Sequence, residues 1–114
     1  MTWTFNSKVV GVTFDGRQKN VPLMHPGFKV FWEHEPNNPY DSNAIHLYGD
    51  SEKTIDLGHL SASVAKKFVV RMQRDVKQEI FVEQVTGGED KKSYGLNIKI
   101  VIYEDDEEEN AKED

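Results

Sequence analysis

Apolar side chains occur in short runs along this chain, and their spacing predicts a mainly β protein. The clearest run places them at every second position, the period of a strand with one buried face, and it comprises Leu96, Ile98, Ile100 and Ile102. Further runs rich in β-branched or aromatic residues are bounded by turn signals; they cover residues 8–14, 28–33, 44–48, 54–60 and 78–85. The pattern therefore predicts about six short strands.

One segment has the period of a helix. Ser61 is a typical N-cap residue, and the apolar residues after it fall on one helical face: Val64, Ala65, Phe68, Val69 and Met72. Another face carries Lys67, Arg71 and Arg74. Pro22 and Pro26 limit any helix between them to about one turn. We therefore expect a mainly β, α+β domain: a small barrel or strongly bent sheet, with one main α-helix and room for a second short one.

The charge of the chain is concentrated at one end. The 114 residues carry a net charge of −6, but residues 104–114 hold eight acidic residues and one lysine, whereas residues 1–103 hold 13 basic and 12 acidic residues. We expect one domain over residues 1–103 and a disordered acidic tail over 104–114. Because residues 1–103 are nearly neutral, the negative charge of the whole chain does not exclude an anionic partner.

Composition excludes several classes of protein. The chain has no cysteine, which excludes disulfides, thiol nucleophiles and cysteine-ligated zinc. Residues 1–6 show neither a basic start nor a long apolar run, so we expect no signal peptide. Apolar runs are far shorter than the ~18 residues of a membrane span. We expect a cytoplasmic domain with no membrane contact.

The stretch "EPNNPYDSNAI", residues 35–45, concentrates turn-forming residues around one aromatic ring. Asn38 precedes Pro39, which favours an extended conformation, and Pro39 fixes its own φ. Asp41 and the two residues after it can bond to nearby backbone and close a turn. This pattern predicts a stiff bend that holds Tyr40 and Asp41 in defined directions. Alternatively, the bend only reverses the chain and Tyr40 covers the core. An EF-hand is excluded, since no glycine or distal glutamate follows in register.

Aromatic and basic residues offer the parts of a single-strand nucleic-acid site, which combines stacking platforms with cations. The candidate platforms are Phe14, Tyr40 and Tyr94, although Tyr94 could instead pack locally at a strand end. The candidate cations are Arg17, Lys19, Lys66, Lys67, Arg71 and Arg74, and the helical stripe among them could be only a solvated face. His59 precedes the predicted helix N-terminus, where anions are favoured; its alternative role is a bond to neighbouring backbone.

Metal binding and catalysis have little support in the sequence. The four histidines lack ligand spacing such as two histidines four residues apart on a helix; they are His25, His34, His46 and His59. Asp41 and Asp56 with His59 could be imagined as a nuclease site. No nucleophile elbow supports a serine triad. We expect no enzyme activity, no metal site and no cofactor.

Three segments together resemble the HIRAN domain family. They are "KVVGVTFDGRQ" (residues 8–18), "EPNNPYDSNAI" (35–45) and "LGHLSASVAKKF" (57–68), and they occur in the family's order. The "NPYDSNAI" segment is the most specific of them. The resemblance implies an OB-like β-barrel with flanking helices, found attached to DNA-remodelling ATPases and as stand-alone bacterial and phage proteins. In its best-understood members the domain binds single-stranded DNA at a free 3′-hydroxyl end.

The resemblance also implies a role for each matching residue. Tyr40 and Phe14 would stack on terminal bases, and Asp41 would accept a hydrogen bond from the 3′-hydroxyl. Asn38 and His59 would position the end and its phosphates. The expected partners are single-stranded DNA and a DNA helicase or other repair protein.

Some positions depart from the family pattern. Phe14 replaces a tyrosine of DNA-binding members, and Thr13 stands at an often basic position. Ala62 stands where a lysine contacts phosphate, and Lys66 and Lys67 lie one turn later.

Two hypotheses follow. The first is a non-catalytic module that binds DNA ends in repair, replication or a phage context. The alternative is a protein-interaction module that has kept the fold and lost DNA binding, favoured by the missing lysine, Asp15 beside Phe14 and the acidic tail. That tail could compete with DNA on a basic groove or serve only to solubilise the chain.

Overall fold

The computed structural model describes residues 1–90 and 92–104, and its strands form one antiparallel sheet. The strands are β1 (Thr2–Lys8), β2 (Lys29–His34), β3 (Ile45–Tyr48), β4 (Asp56–His59), β5 (Lys77–Thr86) and β6 (Gly95–Tyr103). The helix α1 (Ala62–Gln73) connects β4 to β5, and two 3₁₀ turns, Arg17–Lys19 and Val21–Leu23, precede β2. Of the predicted tail, residues 105–114 lie outside the described residues.

The sheet curls until its two edges meet. Its strand order is β1-β6-β5-β2-β3-β4, so β1 and β4 lie at opposite edges. Val10 follows β1 and exchanges both backbone hydrogen bonds with His59 of β4, at 2.9 and 3.0 Å. The edges can approach because Gly58 has φ +126° and no side chain; a Cβ there would overlap the carbonyl oxygen of Val10. The predicted OB-like, mainly β architecture is confirmed.

The core lies between the inner face of this curled sheet and α1. The β6 side chains at positions 98, 100 and 102 are fully buried, as their alternation predicts. On α1, Phe68 is fully buried and meets Trp32 edge-on, with ring centroids 4.9 Å apart. Ser61 directly precedes the helix, as predicted, although its side chain makes no capping hydrogen bond. Its backbone carbonyl accepts from Ala65.

The first predicted strand, residues 8–14, is wrong in position. The strand occupies Thr2–Lys8 and pairs along its whole length with β6. Beyond it the chain turns, because Gly11, Asp15 and Gly16 all adopt positive φ values of 79°, 54° and 73°. Residues with positive φ cannot continue a strand. The other strands agree with their predicted spans to within two residues.

Arg71 also differs from its predicted exposure. It is only 8% exposed, and its Nε donates to Gln78 Oε1 at 2.6 Å. Its guanidinium lies over the rings of Trp3 and Phe5, at 5.7 and 5.8 Å, which favours cation–π attraction. Arg71 thus belongs to the packing of α1 on β1.

Among the described residues, no helix is both long and apolar enough to span a membrane.

Candidate functional site

The loop between β2 and β3 is closed by its own side chains. Glu35 N donates to Ala44 O at 2.9 Å, which fixes the base of the loop. Asn38 Oδ1 accepts from the backbone amides of Tyr40 and Asp41, at 2.9 and 3.2 Å, and Asp41 Oδ1 accepts from Asn43 N at 2.8 Å. These bonds satisfy amides that would otherwise face water, so the loop is the predicted stiff bend.

Two aromatic rings are exposed to solvent, one on this loop and one on the turn after β1. Tyr40 is 96% exposed and Phe14 is 67% exposed. Tyr40 therefore does not cover the core, and that part of the alternative is wrong. Phe14 lies in a turn, where its amide donates to Gly11 O at 3.1 Å and its carbonyl accepts from Arg17 N at 3.0 Å. Exposed aromatic rings on restrained backbone are typical of binding surfaces.

Directly beside the loop base lies a cluster of two histidines and one glutamate. His46 and His59 are cross-strand neighbours on β3 and β4, and their ring centroids are 4.3 Å apart. Glu35 contacts both: its Oε2 lies 3.0 Å from His46 Nδ1, and its Oε1 lies 2.9 Å from His59 Nε2. The carboxylate thus bridges the two rings.

A buried arginine extends this cluster. Arg17 is only 6% exposed, and its Nε donates to Asp56 Oδ1 at 2.8 Å. The same oxygen lies 2.6 Å from His46 Nε2. Arg17 Nη1 donates to Gly11 O at 2.9 Å. The segment that carries Phe14 is therefore bonded to the histidine cluster.

The two central carboxylates are held ionised. Partial burial raises the pKa of Glu35, but hydrogen bonds with His46, His59 and Asn38 outweigh it and leave the pKa below the usual 4.5. Burial likewise opposes ionisation of Asp56, but the bonds from Arg17 and His46 bring its pKa below the usual 3.8. Both groups therefore carry negative charge near neutral pH.

Asn38 joins the loop tip to this cluster. Its Oδ1 holds the amides of Tyr40 and Asp41, and its Nδ2 donates to Glu35 Oε1 at 3.3 Å. Glu35 Oε1 also contacts His59 Nε2. A continuous set of hydrogen bonds therefore connects four of the predicted site residues, Asn38, Tyr40, Asp41 and His59.

Tyr94 is positioned through Gln18. The side chain of Gln18 donates to the carbonyls of Val12 and Tyr94 at 2.8 and 3.0 Å, and accepts from Tyr94 N at 2.7 Å. The Tyr94 ring packs against the hydrophobic core and is half-buried. It also covers Gly88, where an added Cβ would overlap the ring. The ring is therefore mainly a packing element.

Lys66 and Lys67 lie on the exposed face of α1. They line a shallow groove with Ser63, Val70 and Arg74. Within the described part of the chain, the hydrogen bonds of the histidine cluster do not extend to these lysines.

The residues that sequence reasoning did not connect come from separate elements. Arg17 lies in a 3₁₀ turn, Glu35 follows β2, His46 is on β3 and Asp56 begins β4. Linear spacing cannot join them. The sequence signal that could have connected them is that two histidines and two carboxylates lie near the ends of β2, β3 and β4, which are neighbours in the sheet.

The sequence model of the HIRAN domain matches residues 3–105. This chain belongs to the HIRAN family. HIRAN domains are generally known as DNA-binding modules. Among curated proteins, no match was found.

Two solved structures resemble this HIRAN domain. The crystal structure of the HIRAN domain of human HLTF shares 22% sequence identity, with a TM-score of 0.68, over 95% of this chain and 81% of the other. A crystal structure of a protein from Lactobacillus plantarum shares 18% identity, with a TM-score of 0.64, over 90% of this chain and 100% of the other. Both likenesses show a shared fold, and the first of them is the fold of a HIRAN domain.

Proposed function

We propose that this HIRAN domain binds single-stranded DNA at a free 3′-hydroxyl end and is not itself an enzyme. The observation that carries the proposal is the restrained loop at 35–44. It presents a fully exposed Tyr40 beside Asp41, on a hydrogen-bonded frame that reaches His59.

The exposed rings serve as stacking platforms. Stacking of a base on an aromatic ring contributes roughly 1–3 kcal/mol and accepts any base. Tyr40 and Phe14 have the exposure that this requires, at 96% and 67%. Tyr94 contributes less, because its ring is half-buried.

Asp41 selects the chemistry of the DNA end. Its Oδ1 is occupied by the amide of Asn43, and its second oxygen remains to accept a hydrogen bond from a 3′-hydroxyl. A terminal phosphate would bring a second negative charge to the same place and be repelled. Asn38 sets the direction of Asp41 by holding its amide.

His59 and the start of α1 receive the phosphates behind that end. The helix begins three residues after His59, and the first amides of a helix favour anions. Lys66 and Lys67 are exposed on the same helix and provide longer-range attraction. We further propose a DNA helicase or another repair protein as the partner that uses the bound end.

Paired substitutions test the site. Tyr40→Ala should weaken binding of a labelled single strand by about tenfold or more, the loss of one stacked base. Phe28→Ala is the matched control, because Phe28 is another exposed aromatic residue, at 47%, that lies outside the loop. Equal affinities for both variants would place the stacking site elsewhere.

Asp41→Asn separates end selection from loop structure. The asparagine keeps an oxygen for the Asn43 amide, so the loop remains folded, but it removes the charge. We expect this variant to bind 3′-hydroxyl and 3′-phosphate ends with similar affinity. Retained discrimination would exclude Asp41 as the selecting group.

A protein-interaction module remains the second candidate function. The observation in its favour is Asp15, whose side chain is 76% exposed next to Phe14 and would oppose a phosphate. If the domain is a protein-interaction module, the wild type should bind no DNA at any salt concentration.

A further inference from the structure

Three potential metal ligands converge at the loop base. Glu35, His46 and His59 each offer one ligand atom, and these atoms all lie within 4.8 Å of one another. They come from the end of β2 and from β3 and β4, three adjacent strands. Two histidines and one carboxylate are a known zinc ligand set that leaves a fourth position open.

Both ring nitrogens of His46 face carboxylates. Its Nδ1 faces Glu35 and its Nε2 faces Asp56. A neutral imidazole donates through only one nitrogen. A metal ion bound at Nδ1 leaves the Nε2–H to donate to Asp56, so that both sides of the ring are then satisfied.

The surroundings have the form of a metal site's outer shell. Histidines that bind metals usually donate their other ring N–H to a carboxylate, which fixes the ring orientation. Asp56 occupies that position for His46 at 2.6 Å, and Arg17 holds Asp56 from the other side at 2.8 Å. Asn38 likewise holds Glu35.

We infer that Glu35, His46 and His59 bind one divalent transition-metal ion of the zinc class. His46 Nδ1, His59 Nε2 and one Glu35 oxygen are the ligands, and Asp56 and Asn38 orient them. Nitrogen and carboxylate donors in tetrahedral arrangement suit Zn²⁺ and Co²⁺ better than the hard ions Ca²⁺ and Mg²⁺.

Metal binding requires the side chains to adjust. Metal–ligand distances near 2.0–2.1 Å place neighbouring tetrahedral ligands about 3.4 Å apart, whereas the three ligand atoms lie within 4.8 Å of one another. Glu35 contacts the two rings through different oxygens, so its carboxylate must turn to offer one oxygen to the ion, and protons held between these atoms pass to water. The side chains of Glu35, His46 and His59 are 31%, 14% and 26% exposed, so an ion can enter from solvent.

Cobalt titration of the tag-free full chain tests the site. After treatment with a chelator, we expect one equivalent of Co²⁺ to produce the visible absorption of tetrahedral cobalt, and Zn²⁺ to remove it. Glu35→Gln and His46→Gln should each weaken binding by more than about tenfold, and Asp56→Asn by about 10–100-fold. His25→Gln, an exposed histidine outside the cluster, should bind as wild type does.

Circular dichroism of each variant establishes that it is folded. Absence of the tetrahedral spectrum in wild type would overturn the inference. So would a spectrum that persists in folded Glu35→Gln and His46→Gln, because the ion would then be bound elsewhere, such as by the acidic residues 104–114. The outcome is independent of DNA binding, which this titration does not measure.

Discussion

At the scale of single residues, Arg17 determines how the site is assembled. It is buried, and it is bonded to Asp56 at 2.8 Å and to the Gly11 carbonyl at 2.9 Å. A second carboxylate is that of Asp15, whose Oδ2 lies 3.6 Å from Arg17 Nη2 and whose side chain is 76% exposed. The two carboxylates therefore meet one guanidinium in very different surroundings.

This contrast gives a matched prediction. Asp56→Asn should lower the free energy of unfolding by about 1–3 kcal/mol, because it removes the charge facing a buried arginine and His46. Asp15→Asn should change it by less than about 1 kcal/mol, since exposed ion pairs contribute little. Urea denaturation measures both, and equal losses would contradict the assigned role of Asp56.

Residues within one loop were predictable from sequence, whereas residues on separate strands were not. Pro39 and the polar residues around Tyr40 act locally, so the stiff bend followed from their identities. The contact of Glu35 with His46 and His59 depends on the register of three strands. A one-residue shift of that register would turn His46 into the core.

At the scale of elements, closure of the sheet depends on Gly58. Gly58→Ala would place a Cβ against the Val10 carbonyl and disturb the pair of hydrogen bonds between Val10 and His59. We expect a loss of several kcal/mol, from about 1 kcal/mol of backbone strain plus the overlap, together with faster amide exchange at Val10 and His59.

Gly27→Ala is the control for this substitution. Gly27 also has a positive φ, of +91°, but an added Cβ there meets nothing within 4 Å. It should therefore report backbone strain alone. If both variants lose the same stability and His59 exchange is unchanged, the edge-to-edge bridge is not a stabilising contact.

The strands differ in how much of their position the sequence specified. The core side chains of β6 recur at every second position, although Val101 between them is also buried. The helix α1 has a full apolar face, so both elements were found. In β1 the residues are mostly exposed, and its hydrophobic signal is confined to Trp3 and Phe5. Pairing with β6, rather than local pattern, positions it.

At the scale of the whole molecule, the ionised carboxylates make stability depend on pH. Glu35 and Asp56 have pKa values below the usual 4.5 and 3.8 because their hydrogen bonds to His46, His59 and Arg17 outweigh burial. A carboxyl group whose pKa is lower in the folded than in the unfolded state stabilises the fold at pH values above its unfolded-state pKa. This stabilisation is lost as the pH falls through the folded-state pKa. We expect the free energy of unfolding to be constant above about pH 5 and to decrease below it.

Urea denaturation at a series of pH values tests this, with Glu35→Gln/Asp56→Asn as the comparison. The double variant should show a shallower decline. It keeps part of the slope, because hydrogen bonds from Thr54 and Tyr103 also lower the pKa values of Asp50 and Glu79. If the wild type and the double variant lose stability equally as the pH falls, folding does not lower the pKa values of Glu35 and Asp56.

The charge of the molecule bears on the proposed DNA contact. Residues 1–103 carry nearly equal numbers of basic and acidic groups, so affinity must come from stacking and end recognition more than from phosphate attraction. Binding should therefore depend only weakly on salt, with a log–log slope of about −2 or smaller in magnitude.

Fluorescence anisotropy with one short labelled single strand tests the central claim most directly. The strand is prepared with either a 3′-hydroxyl or a 3′-phosphate, and binding is measured at low and moderate salt. We predict tighter binding of the hydroxyl end at both salt concentrations, because Asp41 accepts from the hydroxyl and repels the phosphate. Equal binding of the two ends, or no binding to either, would contradict end recognition by the Tyr40–Asp41 loop.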